Sequence, residues 1–111
     1  METVNQQCNI TIKEALSNYI WAQGSFGQYL FQAKVYRVGS KYGIRNGRIS
    51  KFAVWLESDK PGPERWIAAY ERGWSIRPRK KHRQIVDHVI GLLEAMPPPE
   101  DLQENMSFSL D

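Results

Sequence analysis

From Gln28 to Val38 the chain alternates, with Tyr29, Phe31, Ala33 and Val35 on one set of positions and Gln28, Gln32 and Lys34 on the other. Only an extended strand, with its two-residue period, collects the apolar set on one face. The stretch therefore commits the chain to a sheet with one covered face and one wet face. Tyr19 to Phe26 is a second run of aromatic and small residues, and Gly24 and Gly27 mark a hairpin that turns near Gly27. Ile49 to Glu57 resumes as a strand after a loop over Gly39–Arg48 that holds an Asn46-Gly47 turn pair. Ser58 to Pro63 must turn, because two prolines bracket a glycine. Arg65 to Arg72 reads as a fourth strand with Trp66, Ala68 and Tyr70 on one face, and Gly73 ends it.

The cover for this sheet comes from the C-terminal third. Ile85, Val86, Val89, Ile90, Leu92, Leu93 and Met96 recur at helical spacing, Pro78 suits a first turn, and Pro97-Pro98-Pro99 stops the helix. The expected architecture is α+β: an antiparallel four-stranded meander packed by one C-terminal helix, in two layers. Its 111 residues make one domain. Residues 19–96 form the expected body, 1–18 an N-terminal arm in which Ile10–Leu16 fits neither period cleanly, and 97–111 an acidic tail. That tail is expected to be mobile, although Phe108 and Leu110 can dock. Apolar runs reach only four or five residues, as in Phe52–Leu56, which excludes a membrane-spanning helix. The first nine residues are polar and hold no secretory h-region, and the single cysteine, Cys8, cannot form an internal disulfide. A cytoplasmic setting is expected.

Charge is segregated far more than the net +3 suggests. Between Glu14 and Glu57 there is no acid, and Lys34, Arg37, Lys41, Arg45, Arg48 and Lys51 give that stretch +6. Arg72, Arg77, Arg79, Lys80, Lys81 and Arg83 add another +6 with no acid among residues 72–86. From Asp87 onward the sign reverses to −6. Such blocks attract phosphate, anionic surfaces or acidic partners, although a merely solvated basic face has the same composition. The second block also crowds cations onto the expected helix start, where the backbone dipole favours anions. A bound phosphate there would turn an unfavourable arrangement into a favourable one.

Two stretches are sharply defined: Ser40-Lys41-Tyr42-Gly43-Ile44-Arg45-Asn46-Gly47-Arg48-Ile49-Ser50-Lys51 and Tyr70-Glu71-Arg72-Gly73-Trp74. On these the chain resembles a group of small bacterial and phage proteins that share a Tyr-Gly-Ile-x-x-Gly-Arg-Ile-Ser-Lys core, a Tyr-x-Arg-Gly-Trp motif and a closing helix. The resemblance covers about Tyr29 to Met96. It implies a bacterial host cell as the setting and brings no established activity. Physically, the first motif is a glycine-punctuated cationic loop whose amides can approach an anion. It is not a Walker loop, since the Gly-Lys-Ser/Thr ending is absent. In the second motif, either Arg72 stacks on Trp74 or Tyr70, or Tyr70 and Trp74 are core residues that pin the strand end to the helix, with Gly73 allowing the bend. Thirteen aromatics are many for this length, and any on the wet face beside Lys34, Tyr36 and Arg37 would form a stacking platform for bases.

Catalysis finds no matching pattern. His82 and His88 lie about 240° apart around a helix, so they cannot share a metal. No Gly-x-Ser-x-Gly elbow exists, and no cofactor motif is present. The function expected is a non-enzymatic binding module for a phosphate-bearing ligand, nucleic acid or nucleotide. Its ligand residues are Lys41, Arg45, Arg48 and Lys51 on the loop, and Arg72, Arg77, Arg79, Lys80, Lys81 and Arg83 towards the helix. The competing expectation is a phage-encoded protein–protein inhibitor of a host defence or replication protein. An exposed edge strand would also allow a homodimer.

Overall fold

The computed structural model describes residues 7–58 and 65–110. It holds seven strands: β1 (Cys8–Ala15), β2 (Tyr19–Phe26), β3 (Tyr29–Tyr36), β4 (Ile49–Leu56), β5 (Ala68–Glu71), β6 (Trp74–Ile76) and β7 (Ser107–Leu110). One helix, α1 (Lys80–Glu94), lies between β6 and β7 in the chain. All seven strands form one sheet in the order β6-β5-β4-β3-β2-β1-β7, antiparallel throughout. The four-stranded meander expected from the sequence is therefore incorrect.

Three strands account for the difference, and each hides its signal. Cys8, Ile10 and Ile12 of β1 are buried in alternation, but a bulge between Ile12 and Glu14 breaks the period within eight residues. β6 spans only three residues. β7 alternates Ser-Phe-Ser-Leu within an acidic segment, and its register against β1 places Phe108 beside Ile10 and Leu110 beside Cys8. Much of the expected arm and part of the expected tail thus belong to the sheet. The turn expected at Ser58–Pro63 falls largely outside the described residues, as do residues 1–6.

The sheet has two unlike faces because the period is two. Ile10, Ile12, Ile20, Ala22, Phe31, Ala33, Val35, Phe52, Val54, Ala68 and Tyr70 point to one side and join Val86, Val89, Ile90 and Leu93 of α1 in a single core. Beyond α1 the chain stays on this side, where Met96 and Leu102 are buried. The opposite face carries Tyr19, Trp21, Gln23, Leu30, Gln32, Lys34, Tyr36, Lys51, Ala53 and Ala69 in register. Among the described residues, no helix or strand covers it.

The glycine-rich loop is what fastens α1 to the sheet. The helix runs from the Tyr29 end of β3, where a 2.7 Å hydrogen bond links the Tyr29 hydroxyl to His82 Nδ1, towards the Tyr36 end. There the Glu94 carboxylate accepts hydrogen bonds from the backbone N–H groups of Arg48, at 2.8 and 3.0 Å, and of Ile49, at 3.3 Å. Gly47 permits this approach, since a Cβ there would lie 2.3 Å from the carboxylate oxygen. Arg48 closes the joint: Nε donates to the Tyr36 carbonyl, and Nη1 donates to the carbonyls of Glu94 and Met96. The carbonyls at the helix C-terminus are thereby satisfied by a side chain from the loop that leads into β4.

Candidate functional site

The exposed sheet face is built around one cross-strand row. Glu14 of β1, Trp21 of β2, Lys34 of β3, Lys51 of β4 and Glu71 of β5 lie side by side, each the direct partner of the next. Lys34 and Lys51 are therefore adjacent like charges in the middle of the sheet. Lys34 leans over aromatic rings, with Nζ 4.3 Å from the Tyr19 centroid, 5.1 Å from Tyr36 and 6.0 Å from Trp21. These π faces offset part of the repulsion. Lys51 has only a loose ion pair with Glu71, at 3.8 Å.

Beside Lys34 and Lys51 the sheet opens into a cleft of about 630 Å³. Tyr36, Ser40, Tyr42, Ser50 and Arg72 complete its polar lining, so among the described residues three cations face one carboxylate, that of Glu71. The two motifs singled out in the sequence meet here. The Tyr70 hydroxyl donates to the Tyr42 carbonyl at 2.9 Å, and the Arg72 backbone N–H donates to the Ser50 carbonyl at 2.9 Å. Arg72 takes a left-handed conformation, φ 57°, which aims its guanidinium over the Tyr42 ring at 4.1 Å. Of the two expectations for this motif, stacking of Arg72 on Trp74 or Tyr70 gives way to stacking on Tyr42, while Tyr70 is a core residue with Trp74 packed against the core. Trp74 instead packs edge-on against Tyr70 and lies 5.7 Å beneath the Arg77 guanidinium.

The ten cations expected to form one site are distributed over different surfaces. Lys51 and Arg72 line the cleft, and Lys41 stands at its rim with Nζ 5.2 Å from the Tyr42 ring. Arg48 is turned inward at the helix C-terminus. Arg45 pairs with Asp87 at 2.7 Å and shares a smaller depression with Arg77 and Arg83. Arg79 and Lys81 border another depression at the far end of the sheet, with His82, Leu56 and Trp66. Along β3, Tyr29 at that end is about 17 Å from Lys34 at the near side of the cleft. Lys80 opens α1, with neither an acid in the first turn nor a side-chain cap.

The ligand residues expected from the sequence do not include Trp21, Gln32 and Trp66, and they leave Lys34 only beside a conditional stacking platform. The signal for Lys34, Trp21 and Gln32 was the polar side of the same alternation that identified the core. Trp66 is expected on one face with Ala68 and Tyr70, yet it precedes the start of β5 and stands over the exposed face, while those two join the core.

The titratable groups that sequence inspection raised for chemistry have other surroundings. Burial pushes the Cys8 thiol up to about 11, away from the thiolate that nucleophilic chemistry needs. Partial burial, then the neighbouring Lys81 and Arg79 charges, hold His82 below the ordinary imidazole value. His88 packs against Phe26 at 4.9 Å between ring centroids. Among the described residues no three His, Cys, Asp or Glu side chains are grouped to hold a metal, and no helix is long and apolar enough to cross a membrane.

The profile of a domain family described as a domain of unknown function (DUF7678) matches residues 20–94, from β2 to the end of α1. No curated protein and no solved structure matches the chain.

Proposed function

This chain belongs to the DUF7678 family, and we propose that it is a non-catalytic binding module whose open sheet face holds a phosphate-bearing ligand. The observation that carries the reading is the Lys34–Lys51 pair, set side by side in a cleft with Arg72 and opposed there, among the described residues, by Glu71. Directly opposed like charges destabilise a sheet, so an anion between them removes a cost the free protein bears. A guanidinium offers a planar fork suited to phosphate oxygens, and Arg72 stands beside the two ammonium groups. The volume of about 630 Å³ falls within the range of small-ligand sites.

The cations at the start of α1 have a different part in this reading. They lie at the other end of the sheet and add to the positive field that draws polyanions in. Arg48 takes no part in binding. The bacterial or phage setting implied by the two recurring motifs belongs to the same proposal.

Titration with inorganic tripolyphosphate and with a nucleoside triphosphate, at about 50 and 200 mM salt, tests this reading. Binding should weaken with salt, fall at least tenfold in Lys51→Glu and Arg72→Ala, and fall less in Lys80→Glu/Lys81→Glu, which alters the long-range field alone. Binding that survives Lys51→Glu and is lost in the Lys80/Lys81 variant would move the site to the helix start.

A further inference from the structure

We infer that the ligand is single-stranded nucleic acid, with one base lodged in a slot beside the phosphate cleft; this deepens the proposed function and rests on it. The slot is a depression of about 260 Å³ that shares Lys51 and Glu71 with the cleft. Its floor is Ala53 of β4 and Ala69 of β5, which are direct partners in the sheet. Both are on the open face, are 4% and 3% exposed, and have larger neighbours in the lining of the slot. Trp21 and Trp66 are among those neighbours, and Gln32, the cross-strand partner of Ala53, offers an amide at the bottom.

Each part matches one feature of a nucleotide within a strand. Indole rings beside a shallow alanine floor suit the flat π face of a base, and such stacking tolerates any base. The Gln32 amide carries both donor and acceptor atoms, the pairing that base edges present. Lys51 joins slot and cleft, so a base in the first leaves its phosphate within reach of Lys34, Lys51 and Arg72. The face continues past Trp21 into a further shallow cleft with Lys13, Glu14, Gln23 and Gln32. A single isolated nucleotide would leave that extension unused, while a strand crosses it. A duplex is excluded from the slot because its base faces are already stacked.

The test compares the intact protein with Ala53→Leu, which fills the slot from its floor and leaves the lysines and Arg72 in place. The probes are an oligothymidylate of about eight nucleotides, the same backbone without bases, and inorganic tripolyphosphate. The intact protein should bind the oligothymidylate at least tenfold more tightly than the abasic strand. Ala53→Leu should abolish that difference and leave tripolyphosphate binding unchanged. Equal affinity for the base-bearing and abasic strands would overturn the slot while leaving the phosphate reading intact. Loss of tripolyphosphate and oligonucleotide binding alike in the intact protein would overturn both. Because the abasic comparison uses the unaltered chain, it decides the question even if Ala53→Leu folds poorly.

Discussion

Lys34 and Lys51 face one another directly across β3 and β4, in the centre of a sheet face that no described element covers. Opposed like charges there cost about 0.2–1 kcal/mol relative to neutral pairs. The exposed Lys51–Glu71 contact at 3.8 Å contributes little in return. Replacing Lys51 by Gln should therefore leave thermal stability unchanged or raise it by up to ~1 kcal/mol, while lowering polyanion affinity and reducing the salt slope by about 1. Thermal unfolding and salt-dependent titration on the same variant check the two halves.

Arg72 presents a second conflict between stability and function. A non-glycine residue in the left-handed region costs about 1–2 kcal/mol, and Arg72 takes that conformation although glycine follows it at position 73. Arg72→Gly should fold with stability equal to or above that of the parent, by no more than ~1 kcal/mol, since glycine adds entropy to the unfolded chain. The same variant should bind tripolyphosphate at least tenfold more weakly. Urea unfolding and equilibrium binding separate the effects.

Arg48 gives the opposite expectation. Its guanidinium donates to the carbonyls of Tyr36, Glu94 and Met96 at 2.8, 3.0 and 2.7 Å, joining the sheet to the end of α1. Arg48→Ala should cost about 3 kcal/mol in chemical unfolding, the scale of losing charged hydrogen bonds and leaving buried carbonyls unpaired. Lysine should recover less than half, because a single ammonium cannot span carbonyls arranged for a planar fork. Affinity per folded molecule should not change.

His82 reports on the far end of the sheet. Its folded pKa lies below the ordinary value of 6.5, through burial first and then Lys81 and Arg79. The unfolded state therefore binds the proton more readily. The associated stability is complete above the unfolded-state pKa and declines as pH falls through it towards the folded value. An NMR titration of the imidazole should show the depressed midpoint. Tripolyphosphate held in the cleft by Lys34, Lys51 and Arg72 should leave that midpoint in place, whereas a phosphate at the helix start would screen Lys81 and Arg79 and raise it.

The sequence made β3 and the core stripe of α1 legible because each repeats its own period over a long stretch. It concealed β1, where a bulge after Ile12 interrupts the alternation, and β6 and β7, which are too short to establish a period. The site was legible only as charge. Counting cations along the chain grouped Arg48 with Lys51, three residues apart, although one is turned to the helix C-terminus and the other to the open face. The expected ligand residues also omitted Lys34, whose importance comes from cross-strand registers that join it to Trp21 and Lys51. The paired motifs were recognisable as patterns, but their junction rests on a hydrogen bond from Tyr70 to Tyr42, 28 residues apart in the chain.

The most direct test is to map amide chemical shifts while a short oligothymidylate is added at low salt. The account predicts that shifts concentrate on Trp21, Gln32, Lys34, Lys51, Ala69 and Arg72, with residues 79–83 at the start of α1 little changed. Shifts confined to residues 77–83, or spread evenly over every exposed cation, would contradict an open-face site.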